Sequence, residues 1–108
     1  MANPKILVVD DEPNIRDLLT SALRHKGFAV AAVSNGAATI SAVLAEEPDL
    51  ILLDVMLPDM NGFSVTQRLR AAGYTSPILF VTAKDDTSDK IQGLTVGGDD
   101  YVTKPFSL

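Results

Sequence analysis

The sequence predicts an open α/β domain in which five parallel strands alternate with helices. Short apolar runs recur along the chain, and their starts lie 22 to 28 residues apart, which leaves room for one helix between each pair. Each run is continuously apolar, as is typical of parallel strands covered by helices on both faces. The runs occupy Ile6–Val9, Phe28–Val33, Leu50–Leu53, Ile78–Val81 and Tyr101–Thr103.

Size and composition favour a single globular domain. The chain has 108 residues, of which 46% are apolar and 21% charged, so it can bury a core but is too short for two domains. Its net charge of -5 argues against direct nucleic-acid contact, which needs clustered Lys and Arg. No apolar run reaches the ~18 residues of a membrane span, and no signal peptide is visible. The absence of cysteine fits a reducing compartment, so we expect a cytoplasmic protein without membrane contact.

Capping residues bound the first two predicted helices. Pro13 suits the first position of a helix, and Gly27 suits its left-handed C-terminal cap. Ser34 or Asn35 can cap the second helix, which Pro48 must end. The apolar face predicted for the first helix carries Ile15, Leu18, Leu19, Ala22 and Leu23, and the second helix carries Ile40, Val43 and Leu44.

Two further helices are predicted, over residues 62–72 and 86–96. The inward positions of the earlier one are Phe63, Thr66 and Leu69. A fifth strand needs a helix to cover its outer face, but the sequence stops at Leu108. We therefore expect residues 1–108 to form one domain that lacks its last helix.

Polar residues stand where the predicted strands end. They are Asp10 and Asp11, Asp54, Thr82 and Lys104. In open parallel sheets ligands bind beyond the carboxyl ends of the strands, so we expect these side chains to meet there. Carboxylates ~4 Å apart repel by about 4 kcal/mol per pair at an effective dielectric of ~20. We expect a divalent cation with oxygen ligands, Mg²⁺, to balance the three carboxylates together with the lysine.

Asp54 is the candidate nucleophile for a phosphoryl group. It follows a continuous apolar strand and precedes a loop that can hold its carboxylate open to solvent. A carboxylate can attack phosphorus when a metal and a lysine stabilise charge on the phosphoryl oxygens. The Thr82 hydroxyl and the backbone amides of Thr82 and Ala83 are candidate donors to such an oxygen. His25 is the only histidine and is predicted to lie on the surface, so a donor histidine must come from another molecule.

Four segments in a specific order carry a family resemblance over nearly the whole chain. They are Val8–Glu12, Leu53–Pro58 with Asn61 and Gly62, Val81–Ala83, and Tyr101–Phe106. Together they resemble the receiver domain of two-component response regulators, and the segment Gly97–Phe106 is most similar to the OmpR/PhoB-type subfamily. The resemblance implies a flavodoxin-like sheet of strand order 2-1-3-4-5 with helices on both faces. It also implies a signalling switch rather than an enzyme.

The resemblance assigns roles to the acidic residues. It implies that Asp54 accepts a phosphoryl group from a sensor histidine kinase. Asp11, Asp54 and the backbone carbonyl of Met56 would bind Mg²⁺, or Mn²⁺ in its place, and Asp10 would help through a water molecule. Lys104 would pair with a phosphoryl oxygen.

The resemblance also implies a conformational response. Thr82 would move towards the phosphate and Tyr101 would swing inward behind it, changing the face made by the fourth helix, fifth strand and fifth helix. That face implies homodimerisation, and Lys90, Asp99 and Asp100 lie where the subfamily places some interface charges. A winged-helix DNA-binding output domain normally follows, but these 108 residues contain none.

Each polar residue also has a purely structural interpretation. Asp10 and Asp11 can cap the first helix, Asp54 can accept loop amides, Thr82 can end a strand, Lys104 can be solvated and Tyr101 can belong to the core. Their joint placement at separate strand ends favours the phosphoacceptor site.

Three other functions are open at this stage. A phosphohydrolase of the haloacid dehalogenase type needs a second Asp two residues after the nucleophile, where this chain has Met56. A nucleotide-binding module is disfavoured because neither glycine-rich phosphate motif is present. An interaction domain independent of phosphorylation should have lost an acid or the lysine, yet every expected residue is present.

Overall fold

The computed structural model describes residues 3–82 and 97–103. In chain order the elements are β1 (Lys5–Val9), α1 (Pro13–His25), β2 (Ala29–Val33), α2 (Gly36–Glu46), β3 (Leu50–Leu53), α3 (Gly62–Ala71), β4 (Ile78–Thr82) and β5 (Asp100–Thr103). All neighbouring strands pair in parallel, in the order β2-β1-β3-β4-β5. This order confirms the predicted flavodoxin-like topology. The helix predicted over residues 86–96 lies outside the described residues.

The central strands are buried on both faces, which explains their continuous apolarity. Leu7 and Val9 of β1 face a core that also contains Phe63 of α3. The alternate residue Val8 faces a second core, with Leu19 of α1. Because successive side chains of a strand point to opposite faces, one apolar run supplies both cores.

Helix α1 begins and ends where the sequence predicts. Pro13 occupies its first turn, and Gly27 has a φ of 97° just beyond its end. Leu19 is buried, but Leu18 is 52% exposed, so the prediction of an inward Leu18 is wrong. Leu18 lies at the margin of the apolar stripe because each residue turns ~100° around a helix with 3.6 residues per turn.

Helix α2 is capped by Asn35 rather than Ser34. The Asn35 side chain accepts the backbone N–H of Ala38 at 2.8 Å. Of its apolar residues Val43 is buried, whereas Leu44 is 70% exposed. Leu44 follows Val43 directly and therefore points about a quarter turn away from the core.

Helix α3 packs against β4 through its apolar face. Phe63 and Leu69 are buried as predicted, and Phe63 contacts the Phe80 ring of β4 edge to face at a centroid distance of 5.1 Å. Thr66 is also buried and donates its hydroxyl to the backbone carbonyl of Gly62, which satisfies a polar group inside the core. The contact between the two rings holds the start of α3 against the sheet.

Within residues 3–82 and 97–103, no helix has the length and apolarity needed to cross a membrane.

Candidate functional site

Three of the predicted site residues meet at the carboxyl end of the sheet. Asp10 follows β1 and Asp54 follows the adjacent β3, and the Asp54 backbone N–H donates to the Val9 carbonyl at 3.0 Å. Carboxylate oxygens of Asp10, Asp11 and Asp54 all lie within 4.8 Å of one another. The strand pairing thus brings together acids that are more than forty residues apart in sequence.

The three acids differ in exposure. Asp10 is 2% exposed and Asp54 is 5% exposed, whereas Asp11 is exposed. Like charges this close disfavour one another, and the cost is greatest for the buried pair. A hard divalent cation takes carboxylate oxygens as ligands and offsets this repulsion. The three carboxylates, two buried and one exposed, therefore fit such a cation. The exposed Asp11 marks the side of the cluster that is open to solvent.

Backbone N–H groups orient the two buried carboxylates. Asp10 Oδ1 accepts the N–H of Glu12 at 2.9 Å, and Asp54 Oδ1 accepts the N–H of Met56 at 3.0 Å. The residue at the α1 cap is Glu12, which makes no side-chain capping bond. The cap position of α1 is thus Glu12 rather than Asp10 or Asp11, and Asp54 does accept a loop amide.

The loop that follows Asp54 folds back on itself. Met56 and Asn61 form an antiparallel bridge, and the Gly62 N–H donates to the Val55 carbonyl at 2.8 Å. A Cβ at Gly62 would lie 2.5 Å from the backbone oxygen of Asp54. The sequence suggests only a turn at Asn61 and Gly62. In the structure the first caps α3, and the second allows α3 to begin directly against Asp54.

Two charged residues near the site were not predicted. Arg16 donates from Nη1 to the backbone carbonyl of Asp10 at 2.9 Å, which brings the positive guanidinium group next to the acidic cluster. Asp59 accepts the N–H groups of Gly36 and Ala37, at the start of α2. Arg16 lies only six residues after Asp10, and this short distance in sequence is a weak signal of their contact. The sequence around Asp59 contains no sign of its partners, which lie 22 and 23 residues earlier.

Bonding to α2 lowers the pKa of Asp59. The largest cause is the hydrogen bond from the Gly36 N–H, followed by that from Ala37, and slight desolvation opposes them. The positive end of the helix dipole also favours a carboxylate at this position. Asp59 therefore stays ionised at neutral pH.

The remaining predicted residues fall into two groups. Thr82 ends β4 and Tyr101 lies in β5, in register with Phe80, so their backbones reach the same end of the sheet as the acids. Ala83 and Lys104, the predicted phosphate-binding partners, lie outside the described residues, as does Lys90.

One predicted interface charge has a partner within its own chain. Asp99 Oδ2 accepts a hydrogen bond from Arg70 Nη2 at 3.0 Å and another from the Ile78 N–H at 2.8 Å. The Asp99 side chain remains 55% exposed.

Comparison with known proteins identifies the family. The family model described as the response regulator receiver domain matches residues 6–108. The chain is 50% identical over 105 residues to the alkaline phosphatase synthesis transcriptional regulatory protein PhoP of Bacillus subtilis, covering 97% of this chain and 44% of that protein. It is 50% identical over 102 residues to the DNA-binding response regulator MtrA of Mycolicibacterium smegmatis, covering 94% of this chain and 44% of that protein.

Solved structures show the same fold. The Francisella response regulator 1452 receiver domain superposes with a TM-score of 0.92 at 34% identity, covering 97% of this chain and 87% of that one. The BeF3-activated receiver domain of Klebsiella pneumoniae RstA gives a TM-score of 0.90 at 31% identity, with 95% and 87% coverage. The chain spans less than half the length of the two transcriptional regulators above. It belongs to the response regulator receiver domain family, whose members are signalling switches.

Proposed function

We propose that this chain is a phosphorylation-activated signalling switch in which Asp54 accepts a phosphoryl group from a sensor histidine kinase. The observation that carries the proposal is the cluster of Asp10, Asp11 and Asp54 oxygens within 4.8 Å at the carboxyl end of the sheet. Receiver domains are phosphorylated by histidine kinases, often dimerise, and bind Mg²⁺ at an acidic pocket. The only histidine of this chain, His25, is exposed at the end of α1, so the donor is another molecule.

The residues proposed to hold the cation are the three acids and the backbone carbonyl of Met56. We propose Mg²⁺, with Mn²⁺ as a substitute, because all the donors are oxygens. When bound, the cation supplies positive charge to the oxygens of the incoming phosphoryl group. Asp11, the most exposed of the acids, borders the solvent side of the cluster.

Asp54 suits the role of nucleophile through its orientation and burial. The Met56 N–H holds Oδ1, which fixes the rotation of the carboxylate. A carboxylate oxygen forms the new bond to phosphorus, while the bond from phosphorus to the donor atom breaks and its electron pair stays on the donor. Met56 stands where a hydrolase of the haloacid dehalogenase type has an acid. Because its side chain cannot transfer a proton, the aspartyl phosphate is expected to persist as a signal.

The response to phosphorylation is proposed to run through β4 and β5. Thr82, Ala83 and Lys104 would bind phosphoryl oxygens, and Tyr101 would move inward behind Thr82. The surface around the fourth helix and fifth strand would then change and control homodimerisation. The relatives named as transcriptional regulators support a cytoplasmic protein in which this switch controls a DNA-binding output domain.

Phosphodonor labelling tests the proposal. Incubated with Mg²⁺ and acetyl phosphate, the protein should gain the mass of one phosphoryl group, and Asp54→Asn should gain none. Asp17→Asn is the matched control: Asp17 is exposed on α1, and its side chain makes no hydrogen bond or ion pair within the described part of the chain. Labelling of Asp54→Asn as complete as that of the parent would show that the acceptor is another residue.

A further inference from the structure

The loop between β3 and α3 is attached to the rest of the domain at both its base and its outer end. At its base, Met56 bridges to Asn61 and the Gly62 N–H bonds to the Val55 carbonyl. At its outer end, the Asp59 carboxylate reaches α2. A loop held at two places has little freedom to change its backbone conformation.

The attachment at the outer end uses both oxygens of one carboxylate. Asp59 Oδ1 accepts the Gly36 N–H at 2.7 Å, and Oδ2 accepts the Ala37 N–H at 2.9 Å. The next N–H, that of Ala38, is accepted by Asn35. Three consecutive N–H groups at the start of α2 are thus satisfied by side chains, two of them by a residue of the distant loop.

Packing next to Asp59 reinforces this attachment. Gly36 is buried, and a Cβ at that position would meet the Cγ and Sδ atoms of Met60. The absence of a side chain at Gly36 therefore lets Met60 lie directly over the first turn of α2. The hydrogen bonds of Asp59 and the apolar contact of Met60 together hold the outer end of the loop against the helix.

We propose that Asp59 is a positioning residue for the divalent cation of the acidic site. By fastening the loop to α2, it holds the backbone segment that carries the Met56 carbonyl at a fixed distance from Asp54. Asp59 itself does not contact the cation. The inference rests on the proposed function, because it assigns Asp59 a part in building the same cation site.

Titration of Mg²⁺ by isothermal calorimetry tests the inference directly. Asp59→Ala should weaken Mg²⁺ binding by roughly 10-fold, as the loss of residues that orient metal ligands does elsewhere. Asp59→Asn should lose less, because its amide oxygen can still accept one of the two N–H groups. Asp17→Ala removes the same charge from an exposed site and should bind Mg²⁺ like the parent. Circular dichroism would establish that each variant is folded.

Labelling by acetyl phosphate separates positioning from a merely structural role. In Asp59→Ala the Mg²⁺ concentration that gives half-maximal labelling should rise by the same factor as the dissociation constant, while the rate at saturating Mg²⁺ stays near that of the parent. Equal Mg²⁺ affinity in parent and Asp59→Ala would overturn the inference and leave the phosphoacceptor proposal standing. A parent protein that neither binds Mg²⁺ nor becomes labelled would overturn the proposed function itself.

Discussion

Arg70 of α3 and Asp99, just before β5, form a hydrogen-bonded ion pair at 3.0 Å across 29 residues of sequence. The Arg70 Nε also donates to the Gly97 carbonyl at 2.9 Å, so one guanidinium contacts two residues of the segment that leads into β5. Two further bonds run from its Nη1 to backbone carbonyls in the connection between α3 and β4. Arg70 therefore joins α3, the connection from α3 to β4 and the segment before β5 at one point.

Arg70→Ala should lower the free energy of unfolding by about 2 kcal/mol or more, because it leaves several backbone carbonyls without a charged donor. Asp99→Ala should cost less, about 1 kcal/mol, because its exposed ion pair contributes little and its loss removes one backbone hydrogen bond, from the Ile78 N–H, rather than three. Urea unfolding monitored by circular dichroism measures both. If the two substitutions lowered the free energy of unfolding equally, the hydrogen bonds from Arg70 to backbone carbonyls would not be its main contribution to stability.

Asp11→Ala should weaken Mg²⁺ binding by more than roughly 10-fold. Losing a residue that only orients a metal ligand costs at least about that much, and Asp11 is itself a proposed ligand. Asp11 is exposed, so the fold should remain intact. Calorimetric titration of the parent, Asp11→Ala and Asp17→Ala gives the comparison. An unchanged affinity in Asp11→Ala would remove this residue from the metal site.

Gly62→Ala should destabilise the domain by about 1–3 kcal/mol, the usual cost of overpacking, and should slow labelling of Asp54. The added Cβ would lie 2.5 Å from the backbone carbonyl oxygen of Asp54 and 2.9 Å from the Val55 Cα. Backbone atoms, unlike a flexible side chain, cannot rotate out of the way. Thermal unfolding and acetyl phosphate labelling measure the two effects.

Gly73→Ala is the control for Gly62→Ala. Gly73 has a φ of 94° but open space where a Cβ would lie, so alanine there costs stability through backbone strain alone. Its labelling rate should match that of the parent. A normal labelling rate in Gly62→Ala would show that the close approach of α3 to Asp54 is unimportant for the site.

The contribution of Asp59 to stability should depend on pH. Hydrogen bonds from the Gly36 and Ala37 N–H groups hold its pKa below the ordinary value of 3.8 for an aspartate. A depressed pKa in the folded state gives a contribution that is fully present above the unfolded pKa and is lost as the pH falls through the folded pKa.

The parent and Asp59→Asn should therefore differ in urea midpoint at neutral pH and converge in strong acid, where the protonated carboxyl resembles the amide. Midpoints measured in a series of buffers from neutral to strongly acidic pH give the result. Asp17→Asn should show no such convergence. If the difference in urea midpoint between the parent and Asp59→Asn stayed constant into strong acid, the lowered pKa of Asp59 in the folded state would be wrong.

Local signals predicted the elements well because they need only short stretches of chain. Pro13 and Gly27 bound α1 through backbone preferences of single residues, and Asn35 caps α2 through a bond to a residue three positions on. Leu18 and Leu44 show the limit of this reasoning. Both continue an apolar pattern, but burial depends on where neighbouring elements stop, which the pattern of one helix does not contain.

The sequence by itself determined the parallel sheet and the meeting of Asp10, Asp11 and Asp54, because continuous apolar runs define strands and the carboxyl ends of parallel strands share one edge. Only the tertiary structure decided that Asp59 accepts the first two N–H groups of α2 and that Arg70 pairs with Asp99. These contacts join residues more than twenty positions apart through side chains on loops and helix ends. Such pairing has no periodic signature, since it depends on the distances left between elements after the core has packed.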